Sequence, residues 1–263
     1  MKVYVGCSGF SYEDWRGVFY PHNLKREEFI VYYSKFFHVL ELNFSFYSFP
    51  SRGAIKSFLS RSKDLRFSVK AHRSFTHTRH YRSEDVKRFL YSLEPLLEED
   101  RFIALLFQFP ESFHLTQENL EYLKKLSQDF ADMEKAVEVR SKSFKSWDFY
   151  RMVEEYGFSL VNSDAPKNSR FLVGPWVSVG SINYVRLHGR DVQRPYDYLY
   201  SIDELKRLRD KIKKLGDKDT YVFFNNTAKA QAVYNALQMK MLFGLKVQIP
   251  KSMEDAYRER EWE

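Results

Sequence analysis

The chain has a single cysteine in 263 residues, Cys7, and therefore no internal disulfide; this agrees with a reducing compartment. No apolar run approaches the roughly 20 residues that a membrane span requires. The N-terminus enters a strand at once, "MKVYVG", which leaves no room for the charged and apolar regions of a signal peptide. The expectation is a cytoplasmic protein. Linkers, low-complexity tracts and internal repeats are also missing, so nothing divides the chain. Familiar catalytic strings are absent: there is no G-x-S-x-G elbow, H-E-x-x-H helix, P-loop or dinucleotide G-x-G-x-x-G.

What is present is a globular composition, 44% hydrophobic and 29% charged, at a length that suits one α/β barrel. The formal net charge of +7 favours anionic partners such as phosphates or nucleic acid. Aromatics reach 17%, most of them expected in the core and some available to stack on a ring-shaped ligand. Short apolar runs predict strands at 2–6, 39–44, 66–71, 103–109, 136–140, 158–163, 183–189 and 220–225. Helical spacing falls between them, near 24–37, 51–62, 83–98, 116–130, 146–156, 201–215 and 227–242. Ser83, Thr116 and Ser201 suit N-caps, and Gly157 and Gly216 sit where C-caps belong. Strands alternating with helices imply a parallel sheet, and its closure gives a single-domain (β/α)8 TIM barrel over residues 1–263. An open doubly wound sheet is the rival. From about residue 250 the charged ending reads as a surface tail or a final helix.

Strand side chains alternate with period two, and several strands carry a polar face near their C-terminal ends. In "VLELNF", Glu41 and Asn43 oppose Leu40, Leu42 and Phe44; in "RFSVKAH", Ser68, Lys70 and His72 oppose Phe67, Val69 and Ala71. Glu138 and Arg140, Asn162 and Asp164, and Arg186 with His188 form like pairs, while Gln108 ends strand four and Asn225 and Asn226 end strand eight. A helix-covered barrel accounts for this, with apolar faces under the helices and polar faces in the barrel mouth. Unpaired buried charge costs several kcal/mol, so these groups must pair with one another, meet water or meet a ligand. The bland alternative is an internally neutralised ion-pair plug.

With these faces in place, the stretches "VGCSGFSYEDWRGVFYP", "ELNFSFYSFPS", "FSVKAHRSFTH", "LLFQFPESF", "AVEVRSKSF", "YVRLHGR" and "YVFFNNTAKAQAVYNA" resemble the YecE-like family of TIM barrels, domain-of-unknown-function family 72. They run from residue 5 to about 236. The family usually has Thr at Cys7 and Trp at Phe10; Ser8 and Gly9 are intact. The resemblance implies the barrel and a site containing Glu41, Asn43, Tyr47, Lys70, Gln108, Glu138, Arg140, Asp164, Arg186, His188 and Asn225, without supplying a reaction.

Lys70, Arg140 and Arg186 read as an anion clamp, since Arg grips phosphate or carboxylate through paired hydrogen bonds. Glu138, Asp164 and Glu41 are the candidate acids or bases. Ser8, Asn43, Tyr47, His72, Gln108, His188, Asn225 and Asn226 complete the substrate-binding set; Ser8 lacks the elbow spacing and reads as a loop hydroxyl. Glu41, Glu138, Asp164 and His188 could ligate a divalent metal, but three interleaved cations argue against it. His72, His77 and His80 in "HRSFTHTRH" do not have a zinc spacing. Trp147, Trp176, "FSYEDW" and "RPYDYLY" offer aromatic surfaces around the centre. The expected function is a barrel-mouth enzyme, a hydrolase or lyase, acting on a phosphorylated or nucleotide-like substrate or a nucleic-acid phosphodiester. The alternative is a module that binds an anionic ligand or nucleic acid without turnover.

Overall fold

The computed structural model describes residues 1–166 and 172–257. Eight parallel strands close a barrel in chain order, which settles the sheet against the open alternative. They are β1 Val3–Ser8, β2 Val39–Leu42, β3 Arg66–Lys70, β4 Phe102–Gln108, β5 Lys135–Glu138, β6 Phe158–Asp164, β7 Asn183–Leu187 and β8 Thr220–Phe224. The outer layer comprises α1 Phe29–Tyr33, α2 Arg52–Arg61, α3 Arg73–Thr76, α4 Ser83–Glu98, α5 Gln117–Asp129, α6 Trp147–Glu155, α7 Ile202–Lys213, α8 Gln231–Leu242 and α9 Lys251–Tyr257. β2, β5, β7 and β8 stop one or two residues before their apolar patterns do. Asn43, Arg140, His188 and Asn225 thus stand just beyond the strand ends, where barrel loops begin.

Local signals set the helix starts and stops. Thr116 accepts from the Asn119 N–H at 3.3 Å, and Ser201 and Glu204 form a reciprocal capping box. At α4 the expected cap is displaced: Ser83 is the first helical residue, and Asp85 accepts the Arg82 N–H at 2.9 Å. Gly157 and Gly216 follow α6 and α7 with φ of 70° and 91°, the left-handed geometry that ends a helix. Another glycine permits closure itself, since a Cβ on Gly6 would lie 2.2 Å from the Val39 carbonyl oxygen on β2.

Two apolar zones hold the barrel. Phe67, Val69, Leu105, Phe107, Val137, Leu160, Val185 and Val222 face outward into the helix layer. Val39, Ala104, Leu106, Ala136, Val161, Tyr184, Tyr221 and Phe223 fill the lower interior. The polar residues lie above this inner plug. Between β6 and β7 the described residues hold no helix. An extended strap runs there instead: Gly174 and Ser163 exchange both backbone hydrogen bonds at 2.9 Å, and the Asn162 amide grips both backbone groups of Val177. At the C-terminus, Met253 and Tyr257 of α9 are buried, so residues 251–257 form a docked helix rather than a loose tail. The last six residues of the expected tail, 258–263, lie outside the described residues.

Candidate active site at the barrel mouth

Arg186 is 1% exposed and spans the barrel axis from β7. Its Nε and one terminal nitrogen donate to the two oxygens of Glu41 at 3.0 and 2.7 Å, and the other terminal nitrogen donates to Glu138 at 2.5 Å. The Tyr184 hydroxyl donates to Glu41 at 2.8 Å and meets Ser68 at 2.7 Å. These contacts satisfy charges that would otherwise be prohibitively buried. Burial pushes the Arg186 guanidinium down, but Glu41 and Glu138 outweigh it and hold it charged beyond its ordinary range. Burial likewise pushes the Glu138 carboxyl up, yet Arg186, His188 and Arg140 hold it well below the usual carboxylate range. Glu138 is therefore an ionised acceptor at neutral pH. The expected clamp is corrected at one member: three Arg186 donors are committed to carboxylates, so it builds the floor of the mouth.

Lys70 behaves differently. Its Nζ donates to Gln108 Oε1 at 2.8 Å and lies 4.3 Å from the centre of the Phe46 ring. Gln108 Nε2 donates to the Phe109 carbonyl at 2.7 Å, which fixes the amide with its oxygen toward Lys70. Among the described residues no carboxylate lies within ion-pair distance of this amine. Burial, reinforced by Arg186 and Arg140 and opposed by Glu138, lowers the Lys70 pKa to about 7.

His188 is buried, with Nε2 3.3 Å from Glu138 Oε1 and Nδ1 3.0 Å from the Asn225 amide nitrogen. With Asn225 donating to Nδ1, the imidazole proton sits on Nε2, facing Glu138. Burial lowers its pKa more than Glu138 raises it, so the ring is neutral at pH 7. Arg140 reaches the same oxygen of Glu138, Nε to Oε1 3.3 Å.

Two cavities open over this floor and share Arg140 and Tyr196. One, of ≈ 390 Å³, is polar; Asn43, Tyr47, Lys70, Gln108, Arg186 and Asn225 line it with Tyr12, Phe46, His77 and Thr227. The other, of ≈ 380 Å³, has Ala165, Pro166, Leu172, Val192 and Pro195 as walls and Glu138 and His188 at its base. Tyr196, between them, holds a φ of 68°, a strained left-handed conformation for a non-glycine residue.

Not every expected residue reaches the mouth. Asp164 faces the helix layer: Arg190 pairs with both its oxygens at 2.8 and 2.9 Å, and the Tyr200 hydroxyl donates to it at 2.9 Å. The inward side of β6 belongs to Val161 and Ser163, so Asn162 and Asp164 share a face, as their spacing requires, but it is the outer one. His72 also turns away. The strand ends at Lys70, and His72 accepts from the Ser74 N–H to start α3 and packs on Phe49 outside the mouth. Asn226 is buried against Tyr198 and Asn235, where it anchors a loop. Ser8 is buried in β1 and its hydroxyl lacks a hydrogen-bond partner. Trp176 lies under Lys211 of α7, and Trp147 is exposed against Tyr150. Phe46 and Thr227 escaped the residue reading, and His77 figured there only among three histidines without a zinc spacing. His77 is carried inward by the turn of α3, and burial with Lys70, Arg140 and Arg73 lowers its pKa to about 4. Among the described residues, no three His, Cys, Asp or Glu side chains are grouped as a metal site.

The fold and site together define a (β/α)8 barrel with a charged, cavity-forming mouth. The chain belongs to the DUF72 family, proteins of unknown function, whose sequence model matches residues 4–259. It is similar to a DUF72 protein of Thermotoga maritima MSB8, with 39% identity and a TM-score of 0.85, over 93% of this chain and 100% of that one. A DUF72 protein of Enterococcus faecalis V583 shares the fold at 24% identity and a TM-score of 0.83, over 94% of this chain and 97% of that one. The UPF0759 protein YunF of Bacillus subtilis (strain 168) is 29% identical, over 92% of this chain and 95% of its own length. No helix among the described residues is long and apolar enough to cross a membrane.

Proposed function

We propose that the barrel mouth is the active site of an enzyme that binds a small phosphate-bearing substrate and transfers a proton on it. The observation that carries this reading is the charge count over the inner floor: Lys70, Arg140 and Arg186 supply three cations, and Glu41 and Glu138 supply two carboxylates, both of which Arg186 engages. With Lys70 protonated, three minus two leaves one positive charge. Lys70 and Arg140 present it to the polar cavity, with Lys70 paired only to a neutral amide. Arg suits the planar grip on a phosphate, and an amine that titrates near neutral pH suits general acid or base work. The adjoining apolar cavity accommodates the uncharged part of a nucleotide-like substrate. A nucleic-acid phosphodiester presents the same chemistry in polymeric form.

One observation favours a binding module instead: Glu138 is held ionised by its ion pairs, which weakens it as a base. The test begins with calorimetric titration of inorganic phosphate into wild type, Arg140→Met and Asp164→Asn. A charge-assisted hydrogen bond is worth about 1.5–3 kcal/mol, so Arg140→Met should bind roughly 10- to 150-fold more weakly. Asp164→Asn should be unchanged. Equal affinity in all three would remove the clamp. A turnover screen over nucleotides, sugar phosphates and phosphodiesters, with and without added divalent metal, then separates the enzyme from the module.

A further inference from the structure

We infer that Lys70 is a nucleophile: its amine adds to the carbonyl carbon of a small phosphorylated hydroxy-aldehyde or hydroxy-ketone and forms an imine, with the phosphate held by Arg140. This rests on the phosphate-site reading and names the substrate class for it. Three features of the polar cavity point to it. Lys70 makes no carboxylate ion pair among the described residues, and packing over the Phe46 ring shields one side of the amine from water. An amine placed only for charge would gain by pairing with Glu138 or Glu41, yet both carboxylates go to Arg186. Second, Asn43 lines the same cavity, and its Oδ1 is buried at that wall without a hydrogen-bond partner. A buried acceptor of this kind calls for a donor on the ligand, and a hydroxyl supplies it. Third, Arg140 borders the cavity and offers the phosphate-binding group.

The step balances without a co-reactant. The amine lone pair attacks the carbonyl carbon, the C=O π electrons move to oxygen, and that oxygen takes a proton. The carbinolamine nitrogen has then given up one proton and keeps the other; the hydroxyl takes a proton from solvent and leaves as water, giving a protonated C=N bond. Attack requires the neutral amine, and the lowered pKa of Lys70 provides it near pH 7. The imine acidifies the neighbouring C–H and weakens the adjacent C–C bond, which suits isomerase or lyase chemistry.

The intact protein is incubated with glycolaldehyde phosphate and sodium cyanoborohydride, digested, and mapped by mass spectrometry across a pH series. Reduction of the imine leaves a stable secondary amine on the modified lysine. Lys70 is expected to be alkylated at least tenfold faster than the surface lysines at pH 7. Its rate should rise above pH 7, because the bound phosphate of the probe favours the charged amine, and should fall when inorganic phosphate competes. Lys70→Arg should keep phosphate binding and lose the fast adduct. Uniform slow labelling of all lysines, or an unlabelled Lys70, overturns the imine. If calorimetry still shows phosphate bound, the anion site survives that result; if phosphate does not bind either, both readings fall.

Discussion

Replacing Lys70 with methionine should stabilise the protein. The amine sits in a partly buried site beside Arg186 and Arg140, and its pKa falls from the ordinary 10.5 to about 7. In the unfolded chain the same lysine stays protonated up to its ordinary value. Between about pH 7 and 10.5 the unfolded state therefore binds more protons than the folded state, and stability rises with pH across that window. Below pH 7 the full penalty applies, an upper bound of roughly 4–5 kcal/mol from the displacement. Residual solvation at the mouth and the lost Gln108 hydrogen bond reduce it, so Lys70→Met should gain on the order of 1–3 kcal/mol near pH 6.5. For a chain of this size that raises the melting temperature by roughly 2–10 °C. Urea melts of both proteins at pH 6.5 and pH 9.5 provide the assay. The gap should be wide at the lower pH and mostly closed at the higher. A destabilised variant, or a gap equal at both pH values, would refute the claim that Lys70 is held in an unfavourable charged environment.

Asp164→Asn should cost about 2–4 kcal/mol in a thermal or urea melt, because Arg190 loses its bidentate partner, while phosphate affinity stays within twofold. Glu41→Gln should cost about 3–5 kcal/mol by the same measurement, since it removes one of the two carboxylates that neutralise a fully buried Arg186. Gly6→Ala should sharply lower the soluble folded yield and the urea midpoint, because the new Cβ would fall 2.2 Å from the Val39 carbonyl oxygen and force β1 from β2.

Period-two alternation carried most of the site into view. Glu41, Lys70, Glu138, Arg140, Arg186 and His188 all lie on inward faces, because helix-covered strands put apolar residues outside and leave the upper interior to polar ones. β6 broke the rule for a physical reason. α6 packs against it, but no helix among the described residues follows it before β7; the strap lies there, and a backbone strap rewards an outward Asn162 that can hydrogen-bond it. The outer face of β6 is thus apolar at Phe158 and Leu160 and polar from Asn162 on, and Asp164 goes with Asn162. Alternation carries past the strand end to Arg140 and His188, but after β3 the chain turns at once into α3, which His72 caps, and its side chain leaves the inward face. The division of labour among the cations was not legible either. Arg186 and Lys70 look equivalent along the sequence, and only distances across the barrel show that one is held by two carboxylates and the other by a neutral amide. His77 entered the cavity through the turn of α3, a tertiary placement with no periodic signature.

The central claim is that Lys70 is a poised amine in an anion-binding cavity, and ¹³Cε NMR titration of Lys70, free and saturated with inorganic phosphate, tests it most directly. Assignment comes from the signal lost in Lys70→Arg. The free protein should titrate near pH 7, and a bound phosphate should favour the charged amine and move the midpoint upward by at least one pH unit, with uptake of a proton on binding near pH 8. A midpoint near the ordinary lysine value of about 10.4 that phosphate does not move would contradict the account.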